Sequence, residues 1–278
     1  MADGRRIAVI GAAGFGGALC AAIVARHPEL ELTALTARSD AGRRHDELYP
    51  RHRVELTMDA FDADHVATAA DAALIAYPHR AAAPVVIALR ERGLKVVDLS
   101  ADFRLDRERY ERYYQPHEAP NLLYEAVYGL TEHHREAIAA AGLVAAPGCY
   151  ATAALLALAP LRELATDIVV DAKSGVSGAG RESTETTHFV SVAENVTAYK
   201  VDGHRHRSSN SDVAERLALQ VESDHSNLSN RVAGEDDAVV RFEQLDVLRR
   251  NVLDEIDGVA DQGRGAHLEN RVCQRPAS

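Results

Sequence analysis

The sequence predicts an α/β protein, a doubly wound parallel sheet followed by a second, α+β domain. Three observations carry this. Through the first 148 residues, short apolar runs of strand length alternate with Ala- and Leu-rich stretches of helical period, as βαβ units do. The first run passes directly into a glycine-rich turn, "GAAGFGG" over 11–17. From residue 149 one long apolar helix leads into a new strand, which opens the second domain.

The elements follow in order. "RRIAVIGA" (5–12) is a buried strand, and "GGALCAAIVARHP" (16–28) a helix with Leu19, Ile23 and Val24 at helical spacing, stopped by Pro28. "LELTALTAR" (30–38) alternates apolar and polar residues in the strand period. "AALIAYP" (72–78) and "KVVDLS" (95–100) are further strands, separated by the helix "RAAAPVVIALRERG" (80–93), which ends at Gly93. "LVAAPG" (143–148) precedes the apolar helix that begins at Cys149, and "TDIVVDAKSG" (166–175) is the strand that opens the second domain. Further on, 211–223 reads as a helix capped by Ser211, 237–256 as a strand or helix, and 257–278 as a disordered tail.

Composition bounds the function. With 278 residues, 46% hydrophobic and 26% charged, the chain has material for one large or two ordinary domains. A net charge of −11 argues against a nucleic-acid partner, which needs a basic face. No apolar run reaches the about 18 residues of a membrane span. The N-terminus leads straight into a strand with no room for a signal peptide, so a cytoplasmic location is expected. Cys20, Cys149 and Cys273 are too far apart for a disulfide framework or a metal site, and no metal is expected.

The glycine turn places Gly11, Gly14 and Gly17 between a strand and a helix, a variant of the dinucleotide fingerprint. Glycines allow the tight turn and let a pyrophosphate approach the backbone, where the helix N-terminus supplies N–H groups. The second strand ends in "TARSD". NAD-specific sites place an acid there for the ribose 2′-hydroxyl, but here Arg38 and Ser39 come first and Asp40 only after them. A guanidinium and a hydroxyl suit a 2′-phosphate, which points to NADP.

Cys149 stands between a Pro-Gly turn and the first turn of its helix. Unpaired N–H groups and the positive end of the helix dipole favour the thiolate and make it a nucleophile. Cys20 reads as core, and Cys273 has no motif around it. Two later segments accompany Cys149. "AKSGVSGAGRE" (172–182) can expose several backbone N–H groups to an anion. "YKVDGHRHR" (199–207) puts His204 and His206 on one face of an extended strand, so either could face the thiol.

Taken together, "GAAGFGG", "TARSDAG", "AYPH", "VVDLSADFRL", "VYGLTE", "PGCYATAALLALAPL", "AKSGVSGAGR" and "YKVDGHRH" resemble, in order, the N-acetyl-γ-glutamyl-phosphate reductases of arginine biosynthesis. These are NADP-dependent enzymes related in fold to aspartate-semialdehyde dehydrogenase. The resemblance covers about residues 5–207. It implies that Cys149 attacks a small-molecule acyl phosphate and expels phosphate, that NADPH reduces the thioester to the semialdehyde, and that His206 relays the proton. Gly11, Gly14, Phe15, Gly16, Gly17, Arg38, Ser39, Ser177 and Gly178 would then hold NADP, and Ser174, Gly175, Arg181 and His204 the substrate. The resemblance leaves Asp98, Asp102 and Arg104 unapportioned between structure and substrate. Competing readings are a carrier-protein-linked sibling of lysine or ornithine synthesis, a catalytically impaired NADP-binding remnant, and an NADP sensor.

The implied division is an NADP-binding domain over 1–148, a catalytic and dimerisation domain over 149–220, and an atypical tail over 221–278. All but one of the aromatics lie before residue 207, as do all three Lys. The family's closing helix over the nicotinamide is not found in the tail. The second domain is therefore expected to be incomplete and the tail to be disordered or frame-shifted; a homo-oligomer is expected if that domain is whole.

Overall fold

The computed structural model describes residues 4–161, 168–199 and 238–240. Seven strands form one sheet: β1 (Arg5–Ile10), β2 (Leu30–Thr36), β3 (Met58–Asp59), β4 (Ala72–Ile75), β5 (Lys95–Asp98), β6 (Ala126–Tyr128) and β7 (Leu143–Ala145). Their spatial order is β3-β2-β1-β4-β5-β7-β6, and every pairing is parallel. The expected doubly wound sheet is therefore present. The winding reverses between β1 and β4, and a crevice opens at such a reversal beyond the carboxyl ends of the strands.

Helices cover both faces, which is why the central strands are apolar on both sides. On one face Ile7, Val9, Leu35, Leu74 and Val97 pack with Cys20, Ala21 and Val24 of α1 (Phe15–Val24). On the other, Ala8, Ile10, Ala73, Ile75 and Val96 meet Val66 of α3 (Ala63–Ala69) and Val86 and Leu89 of α4 (Ala83–Glu91). Cys20 is core, as its apolar neighbours indicate. Between β2 and β3 lie the single turn α2 (His45–Leu48) and a 3-10 turn over Pro50–His52.

Several boundaries differ from the sequence reading. α1 ends at Val24, before Pro28, and it buries its small residues while Leu19 and Ile23 stay partly exposed. β2 alternates only at its start, because Ala34, Leu35 and Thr36 are all buried between β1 and β3. α4 ends as its glycine indicates. Gly93 adopts φ +79°, its N–H reaches the Arg90 carbonyl and that of Leu94 the Leu89 carbonyl, a Schellman closure. β3, β6, α2, α3, α5 (Arg107–Tyr113) and α6 (Thr131–Ala140) had no place in the sequence reading.

After β7 comes α7 (Cys149–Leu158), which buries Ala154, Leu155 and Leu158 against Leu130. The expected strand of the second domain is β8 (Ile168–Val170), and it pairs in parallel with β9 (Ala238–Val240), so the strand alternative holds at the start of 237–256. The single turn α8 (Phe189–Val192) follows β8. The expected helix over 211–223 and the tail over 257–278 lie outside the described residues. Among the described residues no helix is long and apolar enough to cross a membrane.

Candidate active site

The candidate site lies along the carboxyl edge of the sheet, where the loops after β2, β1, β4, β5 and β7 follow one another. The β1 loop is fixed by two bonds, from the N–H groups of Gly11 and Ala12 to the Thr36 carbonyl, both 2.9 Å. Gly11 has φ +88°, and a Cβ there would sit 2.9 Å from the Tyr77 ring, across the reversal point. A Cβ on Gly17 would sit 2.2 Å from the Gly11 carbonyl oxygen. The fold itself therefore requires these two glycines.

Gly14 and Gly16 are different. A Cβ would meet nothing closer than 3.7 Å at Gly14 and nothing within 4 Å at Gly16. The protein has no packing use for their bareness, whereas a ligand approaching the backbone does. Gly14 is the N-cap of α1, no side chain caps this end, and the first intrahelical bond is from Ala18 N–H to the Gly14 carbonyl (2.8 Å). The N–H groups of Phe15, Gly16 and Gly17 precede the first intrahelical bond, and such a helix start is a ready anion site. Phe15 and Gly16 are exposed beside it. The loop is braced from behind by Tyr49, whose hydroxyl donates to the Ala13 carbonyl at 2.7 Å. Nothing in the sequence marks Tyr49; only the fold brings it there.

At the end of β2, Arg38 and Ser39 are exposed while Asp40 is buried. The guanidinium of Arg181, expected at the substrate, lies 2.7 Å from Asp40 Oδ2. That bond and the charge of Arg181 hold the Asp40 carboxyl below the usual range, against a burial that works the other way.

The loop after β5 accounts for the residues the resemblance left unassigned. Ser100 donates to Asp98 through its N–H (3.0 Å) and its hydroxyl (2.6 Å), and the Asp102 N–H donates to Ser100 Oγ (3.0 Å). Asp102 in turn accepts from the N–H groups of Arg80 (2.8 Å) and Ala83 (3.2 Å) and from the Tyr110 hydroxyl (3.0 Å). Asp98 and Asp102 are both fully buried, so they are structural. Arg104 donates to the carbonyls of Leu99 and Ala146, each at 2.6 Å. It therefore clamps the "APGC" turn to the β5 loop, three residues before Cys149.

Burial pushes the Asp98 carboxyl up to about 6, although the Ser100 bonds favour the carboxylate. The folded chain then holds this proton more tightly than the unfolded chain, so stability falls as pH rises from about 4 to about 6. Asp98→Asn is expected to remove this fall, at most about 3 kcal/mol. Urea unfolding of both proteins at the two ends of that range checks it; parallel pH slopes would contradict it.

Cys149 is the first residue of α7, half-buried, with Gly148 as N-cap and the first intrahelical bond from Thr152 N–H to the Gly148 carbonyl (2.8 Å). Gly148 lies under the Arg104 guanidinium, 3.1 Å from where a Cβ would be. Across the sheet, β7 is three strands from β1, about 14 Å at ordinary strand spacing. The glycine loop and the thiol thus stand on the same carboxyl edge of the sheet, three strands apart. Ser174, Gly175, Ser177 and Gly178 lie in an exposed loop containing a 3-10 turn over Val176–Ala179. His204, His206 and Cys273 lie outside the described residues.

Comparison with known proteins agrees with this architecture. The model of the semialdehyde dehydrogenase NAD-binding domain matches residues 6–141, and that of the semialdehyde dehydrogenase dimerisation domain residues 149–223. An N-acetyl-gamma-glutamyl-phosphate reductase of Syntrophobacter fumaroxidans is 42% identical over 265 residues, covering 93% of this chain and 73% of that protein. That alignment runs past residue 221, into the stretch that reads as atypical. Proteins of the same name from Moorella thermoacetica and Ectopseudomonas mendocina are 48% and 46% identical, over 71% and 72% of this chain and 60% and 61% of their own lengths. The chain thus spans about three fifths to three quarters of these relatives. Among solved structures, aspartate semialdehyde dehydrogenase II of Vibrio cholerae complexed with ASA superposes with a TM-score of 0.54 at 16% identity, over 87% of this chain and 70% of that one. Aspartate semialdehyde dehydrogenase of Candida albicans with NADP gives 0.52 at 15%, over 72% and 57%. These two show the fold.

Proposed function

The chain belongs to the N-acetyl-gamma-glutamyl-phosphate reductase family, and from that premise we propose that it reduces N-acetylglutamyl 5-phosphate to N-acetylglutamate 5-semialdehyde. One observation supports this reading above the others: a cysteine at the first position of a helix, on the same strand edge as an uncapped dinucleotide loop. An NADP-binding remnant or sensor would have no use for Cys149 or for the Arg104 clamp on its turn.

NADP fits the residues present. The bare Gly14 and Gly16 and the uncapped start of α1 suit the pyrophosphate, with Phe15 beside them, and the exposed Arg38 and Ser39 suit the 2′-phosphate. When bound, NADPH supplies the hydride that brings the acyl group to the aldehyde level. The chain's own residues do the rest. The Cys149 sulfur attacks the acyl carbon, the carbon–oxygen bond to phosphate breaks, and phosphate leaves with that electron pair. After reduction the sulfur departs from the same carbon as thiolate and the aldehyde is released. His206 carries the proton, and His204 contributes to substrate binding. Ser174 and Gly175 present N–H groups to the substrate's anionic end, and Ser177 and Gly178 border the cofactor. The cofactor domain ends at 148, the catalytic domain occupies 149–220, and the protein works as a homo-oligomer through the dimerisation domain, in the cytoplasm.

The test is the reverse reaction of the full chain: N-acetylglutamate 5-semialdehyde with NADP⁺, with and without inorganic phosphate. Formation of NADPH that requires phosphate is expected. Binding of NADP⁺ without any phosphate-dependent turnover would overturn the proposal.

A further inference from the structure

We propose that Arg181 sets the cofactor preference of this chain, by covering the carboxylate of Asp40 so that a 2′-phosphate can settle on Arg38 and Ser39. The inference rests on the dinucleotide reading above and adds to it a residue from the other domain.

An acid at the end of the second strand ordinarily accepts from the ribose 2′-hydroxyl of NAD, and its charge repels a 2′-phosphate. Asp40 stands four residues after the end of β2, within reach of that role. Both of its oxygens are occupied here. Oδ1 accepts from Arg43 at 3.2 Å; Oδ2 accepts from the Ser39 hydroxyl at 3.2 Å and from Arg181 at 2.7 Å. Its side chain keeps only 10% of its surface exposed. A carboxylate held in this way has about three of its four acceptor sites taken, and two guanidinium groups offset its charge.

The two arginines are not equivalent. Arg43 belongs to the same loop and has a half-exposed side chain, so water competes for it. Arg181 comes from 141 residues further on and makes the shorter bond. It follows Gly180, whose φ of +103° with ψ of −177° turns the chain where a residue with a side chain rarely can. The Ser174–Gly178 loop is thereby tied to the adenosine end of the crevice. Seating that loop and accepting a 2′-phosphate become one event.

The experiment is calorimetric titration of the full chain with NADPH and, separately, NADH, for wild type, Arg181→Gln, Asp40→Asn and the double variant. Wild type is expected to prefer NADPH. Arg181→Gln is expected to lower the NADPH-over-NADH ratio of affinities by about tenfold or more, as an uncovered charge near a phosphate does. Asp40→Asn alone is expected to keep the preference, and adding it to Arg181→Gln to restore it within about threefold. Equal weakening of both cofactors by Arg181→Gln, or no restoration in the double variant, overturns the proposal. Either would make Arg181 a general loop anchor or a direct phosphate ligand. A wild type that binds neither cofactor overturns the dinucleotide reading itself, and a wild type without preference overturns only the choice of NADP.

Discussion

Cys149→Ser is expected to lower turnover by at least about 10⁴-fold, the scale on which removing a covalent nucleophile acts. The hydroxyl is nearly isosteric with the thiol but is a far weaker nucleophile at neutral pH. Folding should be almost untouched. Cys149 is only half-buried, the start of α7 is held by the Thr152–Gly148 bond, and its turn is held by Arg104. A stability change within about 0.5 kcal/mol and unaltered NADPH affinity are expected beside the lost rate. A variant keeping a tenth of the activity would show that the thiol is not the nucleophile.

Gly17→Ala is expected to have the largest effect on the nucleotide domain. The new methyl would lie 2.2 Å from the Gly11 oxygen, 2.7 Å from its carbonyl carbon and 2.9 Å from the Ala12 Cα. All three are backbone atoms, in a turn whose N–H groups are already committed to Thr36. Either α1 lifts off β1 or the turn opens. A destabilisation of about 2–4 kcal/mol is expected, well beyond the helix propensity that alanine gains. Gly16→Ala is the control, since its methyl would meet nothing within 4 Å. It should leave stability level or raise it by up to about 1 kcal/mol. Urea unfolding of both variants checks this; equal stabilities would contradict the packing argument.

The sequence was informative where a local pattern decides the structure. Gly11 and Gly17 are demanded by contacts within a few residues or across one strand, so the loop is readable from spacing alone. Gly93 ends its helix by local hydrogen bonds, and it was readable for the same reason. β3 has two residues and β6 three, too few to show a period, so the outer strands leave no signal in the sequence. The span from β2 to β3 folds back on the phosphate loop through Tyr49, and no periodicity foretells that. The contacts of Arg104 and Arg181 are illegible in the sequence for a third reason. Arg104 reaches Ala146, 42 residues on, as well as nearby Leu99, and Arg181 reaches Asp40 across 141 residues; a guanidinium in a sequence gives no sign of which carbonyl or carboxylate it will meet.

The proposed reaction runs through a covalent acyl group on Cys149. It is tested most directly by mixing the full chain with N-acetylglutamyl 5-phosphate in the absence of NADPH, quenching in acid and reading the intact mass and the peptide carrying residue 149. One N-acetylglutamyl group is expected on that peptide, labile to hydroxylamine, absent in Cys149→Ser and discharged when NADPH is added before the quench. Release of phosphate with the cysteine peptide unmodified, or an acyl group carried on another residue, would contradict it.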